Sequence, residues 1–353
     1  MDQKTKPHDA DVHAQALEDA ALMRALIYGH LLSRGICVAA QLGIPERLEQ
    51  GPSSAEELAE ASGACPQNLR RLLSGLVAFD VFVQRADGAF ELAPLGRTLT
   101  ADAPGSVLPT ALVVGAEIGD SWNGMEASVR TGHCAFDVRF GTDFFSYLSS
   151  RPRLREDFYS SQAAGLRLEL DGIARVLQPV GDQQVVDVGG GDGALLTGLL
   201  TRFPEARGLL VDQPDAVAAA AERFGEAGLA RRCSAVVGDF FEDVPGGGDV
   251  YLLRHILHDW DDESCLRILR TCRRLMPEAA RLVVIETLMA VPGADQATRR
   301  AAALMDLYMM SVVNGRERTL DELVRLLDES GFRYGEVAEV AAGAYAVVAR
   351  SVR

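Results

Sequence analysis

The sequence predicts an α/β protein in which a small winged-helix domain precedes an open, doubly wound parallel sheet. Three observations carry this. The length, 353 residues, suits two or three domains at about 100–200 residues each. Between Gly51 and Leu99 two short helical patterns run into a hairpin signal. From residue 183 onward, short β-rich runs alternate with helical runs, the pattern of parallel strands joined by covering helices.

Residues 1–20, MDQKTKPHDADVHAQALEDA, are polar and mixed in charge and read as a flexible tail. They lack the apolar stretch of a signal peptide. Residues 21–105 make the winged-helix domain, and 21–48 carry helix-length apolar patterning punctuated by Gly43 and Pro45. In GPSSAEELAEASG, Ser53 or Ser54 can cap a helix whose first turn holds Glu56 and Glu57, where the helix dipole favours acids, and Gly63 stops it. The next segment, CPQNLRRLLSGLVAFDVF, starts a second helix near Pro66 and sets Leu69, Leu72, Leu73, Leu76 and Val77 on one face. Asp87-Gly88 then lies between two short alternating runs, as a hairpin requires.

Winged helices often bind DNA, but a DNA reader shows a basic face. Here four basic side chains (Arg70, Arg71, Arg85, Arg97) meet six acidic ones (Glu56, Glu57, Glu60, Asp80, Asp87, Glu91). The expected role is an interaction or dimerisation module. The whole chain is acidic, with net charge −15 and pI near 4.9, which argues against nucleic acid or an anionic membrane as partner. The longest apolar stretches, such as Leu307–Val313, fall far short of the roughly 20 residues that span a bilayer. Six cysteines without a CxxC pair fit small buried apolar groups in a reducing cytoplasm.

Residues 106–175 read as a helical connector rich in aromatics: Trp122, Phe136, Phe140, Phe144, Phe145, Tyr147, Phe158 and Tyr159. Ordinary core and a planar-ligand pocket are both open readings. Residues 176–353 form the sheet domain, built from QVVDV, GLLVD, SAVVG, DVYLL and RLVVIE with helices between them.

In such a sheet, ligands bind beyond the carboxyl ends of the strands. Those ends carry Asp187-Val188-Gly189-Gly190-Gly191-Asp192-Gly193, then Asp212 with Gln213 after it, then Gly238-Asp239-Phe240, then Arg254-His255-Ile256-Leu257-His258-Asp259-Trp260, and Glu286. Gly189, Gly191 and Ala194 formally match the dinucleotide fingerprint. Asp187 and Asp192 would repel a pyrophosphate, however, and would welcome a cation. S-adenosylmethionine carries a sulfonium and an ammonium beside its carboxylate. The glycine turn can take the carboxylate and the acids the ammonium. Asp212 suits the two ribose hydroxyls, Asp239 the adenine amino group, and Phe240 the adenine face.

His258 has two candidate orienting acids, Glu286 and the Glu317 of NGRERT. A carboxylate on one imidazole nitrogen makes the other a better base. Such a base can take the proton of a phenol, ordinarily titrating near 10, as its oxygen attacks a methyl group. His255 and His258 with Asp259 also raise the question of a metal, which no third-ligand spacing supports.

VVDVGGGDG, LLVD, GDFF, LRHILHDWDDESCLRIL, VVIE and NGRERT together resemble the plant-type (class II, metal-independent) O-methyltransferase family and its bacterial secondary-metabolite branch. The resemblance covers nearly the whole chain. It implies a Rossmann-like methyltransferase sheet and His258 as proton acceptor flanked by Glu286 and Glu317. It implies cofactor contacts along Asp187, Gly189, Gly190, Gly191, Asp212, Gln213, Gly238, Asp239, Phe240 and Arg254. For the acceptor it implies Phe145, Tyr159, Gln162, Asp259, Trp260, Met305 and Met309. Packing explains Trp260 as well as a cofactor wall does, and the methionines can be core; Asp306 is a weaker candidate. The implied cofactor is S-adenosyl-L-methionine, leaving as S-adenosyl-L-homocysteine, with no metal. The implied partners are a small aromatic substrate and a second copy bound through the amino-terminal domain, which lends part of the partner's acceptor pocket. Arg254 replaces the lysine common in plant members, keeping charge but not geometry. Three other readings remain open: a relative that uses the cofactor for hydroxylation or decarboxylation, a winged-helix regulator sensing a small molecule, and a nicotinamide oxidoreductase.

Overall fold

The computed structural model describes residues 7–352, in two compact units with the boundary between Gly115 and Ala116. The first unit opens on a long helix, α1 (Pro7–Gln41). The expected tail is therefore helical from Pro7 onward; its first six residues lie outside the described ones. The helical patterning expected from residue 21 lies within α1, and the apolar residues Leu17, Leu22, Met23, Leu26, Ile27 and Leu31 along it are each more than half exposed.

Gly43 at φ 65 breaks α1 from α2 (Ile44–Glu49). Ser54 caps α3 (Ala55–Ser62) in a reciprocal box with Glu57, and Gly63 ends it in the left-handed conformation. In α4 (Pro66–Val77) the predicted stripe buries Leu69, Leu73 and Leu76, with Leu72 and Val77 at its partly buried edge. Strands β1 (Phe82–Gln84) and β2 (Phe90–Leu92) pair antiparallel with Phe82 opposite Leu92. Asp87 Oδ1 accepts the Ala89 N–H in their turn, where Gly88 sits at φ 87. Helix α5 (Leu108–Gly115) packs on α1, where Arg34 and Gln41 both donate to the Gly115 carbonyl. The stretch expected as one connector is thus divided, with 106–115 in the first unit and the rest in the second.

The second unit begins with short helices α6 (Glu117–Ser121), α7 (Met125–Thr131), α8 (Ala135–Phe140) and α9 (Phe144–Ser149), then the 26-residue α10 (Pro152–Leu177). The sheet follows: β3 (Gln184–Val188), α11 (Ala194–Arg202), β4 (Arg207–Asp212), α12 (Pro214–Glu226), β5 (Cys233–Val237), β6 (Val250–Arg254), α13 (Asp262–Leu275), β7 (Arg281–Met289), α14 (Gln296–Val312), β8 (Arg318–Thr319), α15 (Leu320–Glu329), β9 (Phe332–Ala341) and β10 (Ala344–Ser351). Spatial order is β5-β4-β3-β6-β7-β10-β9, with β8 pairing β7 off that path. The five expected strands run parallel. The terminal hairpin, with β10 antiparallel to β7 and β9, is additional. One face of the sheet buries Leu166 and Ile173 of α10 with Leu196 and Leu199 of α11 and Phe224 of α12; the other buries Ile268 and Leu269 of α13 with Leu323 and Leu327 of α15. Strand order reverses between β3 and β6, and this switch point opens the crevice where the site forms. Among the described residues no helix is long and apolar enough to cross a membrane.

Two glycines of α10 make opposite predictions. A β-carbon on Gly172 would overlap the Val340 carbonyl of β9, whereas one on Gly165 meets nothing within 4 Å. Gly172→Ala should lower stability by about 1–3 kcal/mol, and Gly165→Ala should raise it by up to about 1 kcal/mol. Denaturant midpoints of the two variants check both signs.

Candidate active site

His258 sits in a single 3₁₀ turn, Leu257–Asp259, directly after β6. Its buried ring places Nδ1 2.9 Å from Glu317 Oε1 and 3.6 Å from Glu286 Oε2, and Nε2 3.5 Å from Asp259 Oδ1. Both acids singled out in the sequence therefore meet the same ring nitrogen. The segment NGRERT is built onto this turn. A β-carbon at Gly315 would overlap the His258 carbonyl, and the Arg316 N–H donates to that carbonyl at 2.9 Å. Arg318, 4% exposed, donates to the carbonyls of Leu257 and Trp260 at 2.8 and 2.7 Å and pairs with Asp262. The two sequence motifs are one local structure.

Glu286 lies within β7. Its Oε1 accepts the Ile256 and Leu257 N–H groups at 3.2 and 2.8 Å. Its Oε2 makes no hydrogen bond among the described residues and faces Nδ1 of both His258 (3.6 Å) and His255 (3.8 Å). His255 Nε2 in turn lies 2.9 Å from Glu169 Oε1, and Arg254 Nε donates to Glu169 Oε2 at 2.7 Å. Burial disfavours the His258 imidazolium, but Glu286, Asp259 and Glu317 outweigh it and raise the ring to about 10. Burial pushes the Asp259 carboxyl up to about 7 against the pull of His258. Burial also opposes ionisation of Glu169, yet His255 and Arg254 hold it down to about 2.

His255, His258 and Glu286 offer atoms within 4.8 Å of one another, a spacing a metal could use. Each imidazole already faces a carboxylate of its own, so the arrangement fits paired charges.

A cavity of about 630 Å³ opens beside this cluster. Gly189, Gly190, Gly191, Asp212, Gln213, Asp239, Phe240 and Arg254 line it, as do His258, Asp259 and Trp260. Asp187 lies under the glycine turn, buried, with Oδ2 unbonded among the described residues; burial pushes its carboxyl up to about 7. Gly238 is a packing glycine, whose β-carbon would meet Val211 at 2.5 Å. At Gly189 a β-carbon would stand 2.5 Å from Ile256, and at Gly190 2.6 Å from Leu210. The turn is therefore a backbone cradle, though two of its donors are engaged: the Gly189 N–H bonds the Val211 carbonyl and the Gly191 N–H bonds Asp212. The first of these bonds extends the β3–β4 pairing into the turn, and the second ties the turn to the Asp212 side chain. Asp212 also accepts the Gln213 N–H at 2.6 Å, and each of its oxygens keeps a lone pair for a hydroxyl. Asp192 is held by Arg223, and exposed Asp239 accepts the Phe241 N–H at 2.9 Å. A cradle, a ribose-matching carboxylate and an unpaired buried acid fit S-adenosylmethionine.

The aromatics divide. Phe136, Phe140 and Tyr147 pack on one another with centroids 4.5–5.4 Å apart, while Phe144, Phe145, Phe158 and Tyr159 line the cavity. Phe145 and Trp260 lie nearly parallel, 18° apart with centroids at 6.3 Å, and Trp260 meets Phe241 edge-on at 4.8 Å. Tyr159 stands on the cofactor side, 3.9 Å from where a Gly191 β-carbon would lie, with its hydroxyl raised to about 12 first by burial and then by Asp212. Gln162, one turn along α10, lines the cavity with it. Met309 reaches the cavity, whereas Met305 is 39% exposed and is not among the described residues lining it; on α14 Tyr308 takes that place. Asp306 accepts the Glu317 N–H at 2.9 Å. Sequence reasoning missed Glu169 and Tyr308. A buried acid within an amphipathic helix was the only signal for the first, and an aromatic one residue from Met309 the only signal for the second.

Comparison with known proteins agrees with this geometry. Residues 122–333 match the model of the O-methyltransferase domain, and 25–102 that of the O-methyltransferase dimerisation domain. O-methyltransferase SfmM3 of Streptomyces lavendulae is 41% identical over 91% of this chain and 97% of its own length. The mitomycin 7-O-methyltransferase MmcR superposes with TM-score 0.87 at 35% identity, covering 97% of this chain and 100% of its own. NcsB1, an O-methyltransferase from neocarzinostatin biosynthesis solved with S-adenosylmethionine and 2-hydroxy-5-methyl naphthoic acid, gives TM-score 0.79 at 32% identity, covering 91% and 96%.

The Glu169 shift sets a pH dependence. Its folded value lies below the ordinary carboxylate value, so its contribution to stability is complete above about 4.5 and is lost as pH falls toward about 2. Glu169→Gln should lower stability at pH 6 and flatten its decline between those limits. Denaturant midpoints across that range check it, and an unchanged slope would contradict the assigned ion pairs.

Proposed function

The chain belongs to the O-methyltransferase family and is an S-adenosylmethionine-dependent O-methyltransferase, and from that premise we propose that it methylates a phenolic hydroxyl of a planar aromatic intermediate of secondary metabolism with His258 as general base. The observation that carries the reading is that His258 and the turn Gly189–Gly191 line one cavity. The cofactor supplies an electrophilic methyl group on a sulfonium and leaves as S-adenosyl-L-homocysteine.

The chain's own groups do the rest. Asp212 holds the ribose hydroxyls, with Asp239 and Phe240 at the base. Tyr159 and Gln162 offer donors to the cofactor carboxylate in place of the engaged glycine N–H groups. Phe145, Trp260, Tyr308 and Met309 flank a flat acceptor. Glu317 fixes the proton on His258 Nδ1, leaving Nε2 to face the phenol. A ring held near 10 is protonated at neutral pH, so it must first release the Nε2 proton. Asp259, 3.5 Å away and raised to about 7, can take it. A positive charge brought into the cleft loosens that proton by the same electrostatics that hold it. No step in this scheme calls for a metal.

The exposed apolar side chains of α1 and the dimerisation-domain match support a homodimer built through the amino-terminal unit. Six free cysteines, five of them buried, fit a cytoplasmic home. On the first unit Arg70 pairs with Glu56, and Arg85 with Asp87 and Glu91, which fits a protein that does not hold nucleic acid.

Incubation with S-adenosylmethionine and a panel of phenols and matching anilines should give a one-methyl mass gain on phenols; gain on anilines alone would move the reaction to nitrogen. His258→Ala should cut kcat by about 10²–10⁴ while S-adenosylhomocysteine binding, read by calorimetry, stays within a few-fold; an unaltered rate would place the base elsewhere. Asp212→Ala should weaken cofactor binding at least tenfold in the same measurement, about 1.4 kcal/mol, and equal affinity would remove it from the ribose.

A further inference from the structure

We propose that Glu169 and His255 are positioning residues for the base: with Arg254 and Glu286 they form a buried line of alternating charge that ties His258 to the cofactor wall and limits its hold on its proton. The inference rests on the reading of His258 as the base. The line runs Arg254–Glu169 at 2.7 Å, Glu169–His255 at 2.9 Å, His255–Glu286 at 3.8 Å, Glu286–His258 at 3.6 Å and His258–Glu317 at 2.9 Å. Every member of it is at least 86% buried at the side chain.

His255 is the hinge of the line. It adopts φ 53, a conformation that residues with a β-carbon rarely take and that persists where surroundings enforce it. That conformation lays its ring on that of His258, with centroids 5.2 Å apart and planes 28° apart. Two stacked imidazoles beside one carboxylate oxygen compete for it. Glu169 strengthens the hold of His255 on its proton, and an imidazolium at His255 opposes a second positive charge on His258. Without it, His258 would keep Glu286, Glu317 and Asp259 to itself and hold its proton more tightly.

The groups that face these rings are limited in kind. His258 meets Glu286 from β7, Glu317 ahead of β8 and Asp259 of its own turn; Tyr308 of α14 faces Asp259, and Asp306 anchors the Glu317 backbone. His255 meets Glu169 from α10, Arg254 beside it and Glu286. Arg254 also acts on Asp187 under the glycine turn, so the line reaches the cofactor cradle. No proton need travel along it, because its effect is electrostatic and geometric.

The test uses His255→Asn, which suits the left-handed backbone, Glu169→Gln, which leaves that backbone untouched, and the double variant. Two quantities are read in the full-length protein: the titration of the His258 ring by NMR of labelled histidine in the S-adenosylhomocysteine complex, and kcat/KM against pH. Each single variant should raise the His258 midpoint by about one pH unit. At pH 7 kcat/KM should then fall about tenfold and recover at alkaline pH, with cofactor affinity within about threefold. The double variant should shift no further than His255→Asn. An unmoved ring titration, or a rate lowered uniformly at every pH, would overturn the proposal. A moved ring titration with an unmoved rate profile would uphold the charge line and remove His258 as the base.

Discussion

The structure turns on one requirement: a carboxylate buried at the rim of a parallel sheet must be satisfied. Glu286 is 4% exposed, and an ionised acid at that depth persists only when hydrogen bonds and opposite charges replace water. One oxygen is closed by two backbone N–H groups of the turn that follows β6, which sets where that turn runs. The other is open to two imidazoles. The placement of His258 follows from how an acid of the neighbouring strand β7 is satisfied. Glu317 and Arg318 then lock the turn from the far side, one through the ring and one through two carbonyls.

The same requirement explains what could be read from sequence and what could not. Strand ends were legible because β-rich runs and glycines are local signals, and the topology rule that gathers their carboxyl ends is general. His258 and Glu286 were found for that reason and Glu317 from the motif NGRERT, although that both acids meet Nδ1 needs coordinates. Glu169 was not found. It sits 86 residues before His255, in a helix that carries three further acids, Glu156, Asp157 and Asp171, and an acid on an amphipathic helix is a weak signal among them. Met305 and Met309 share a helical face, yet α14 meets the cavity obliquely enough to bring Tyr308 in and leave Met305 at 39% exposure. The helical start of α1 was illegible for a different reason. Its apolar side chains are exposed in the single chain, so they report on a contact outside it rather than on a core.

Charge in the cleft is unevenly distributed, and this shapes the chemistry. The cofactor wall holds Asp187, Asp192, Asp212 and Asp239, while its nearby arginines are spoken for: Arg223 by Asp192, Arg155 by Asp215 and Arg254 by Glu169. Such a wall disfavours phosphate and favours a cation, which is why a glycine turn resembling a dinucleotide fingerprint is better read as a methyl-donor site. The glycines also serve packing. Their lack of side chains lets β3, β4 and the β6 turn approach within contact of one another, and that approach shapes the cradle.

An imidazole facing three carboxylates poses a problem for any base-catalysed reading, since the acids that orient the ring also bind its proton. Orientation and basicity pull in opposite directions when both come from negative charge. A site can resolve this by adding positive charge on the side of the ring away from the acceptor, where it tempers proton affinity without blocking attack. His255 is stacked on His258, with Glu169 facing its Nε2 and raising its proton affinity. A bound cofactor's sulfonium would add a second positive charge to the cleft. On the proposed reading of His258 as base, the ring becomes competent only when donor and counter-charge are both in place, and loss of its proton is coupled to cofactor occupancy through ordinary Coulomb interactions.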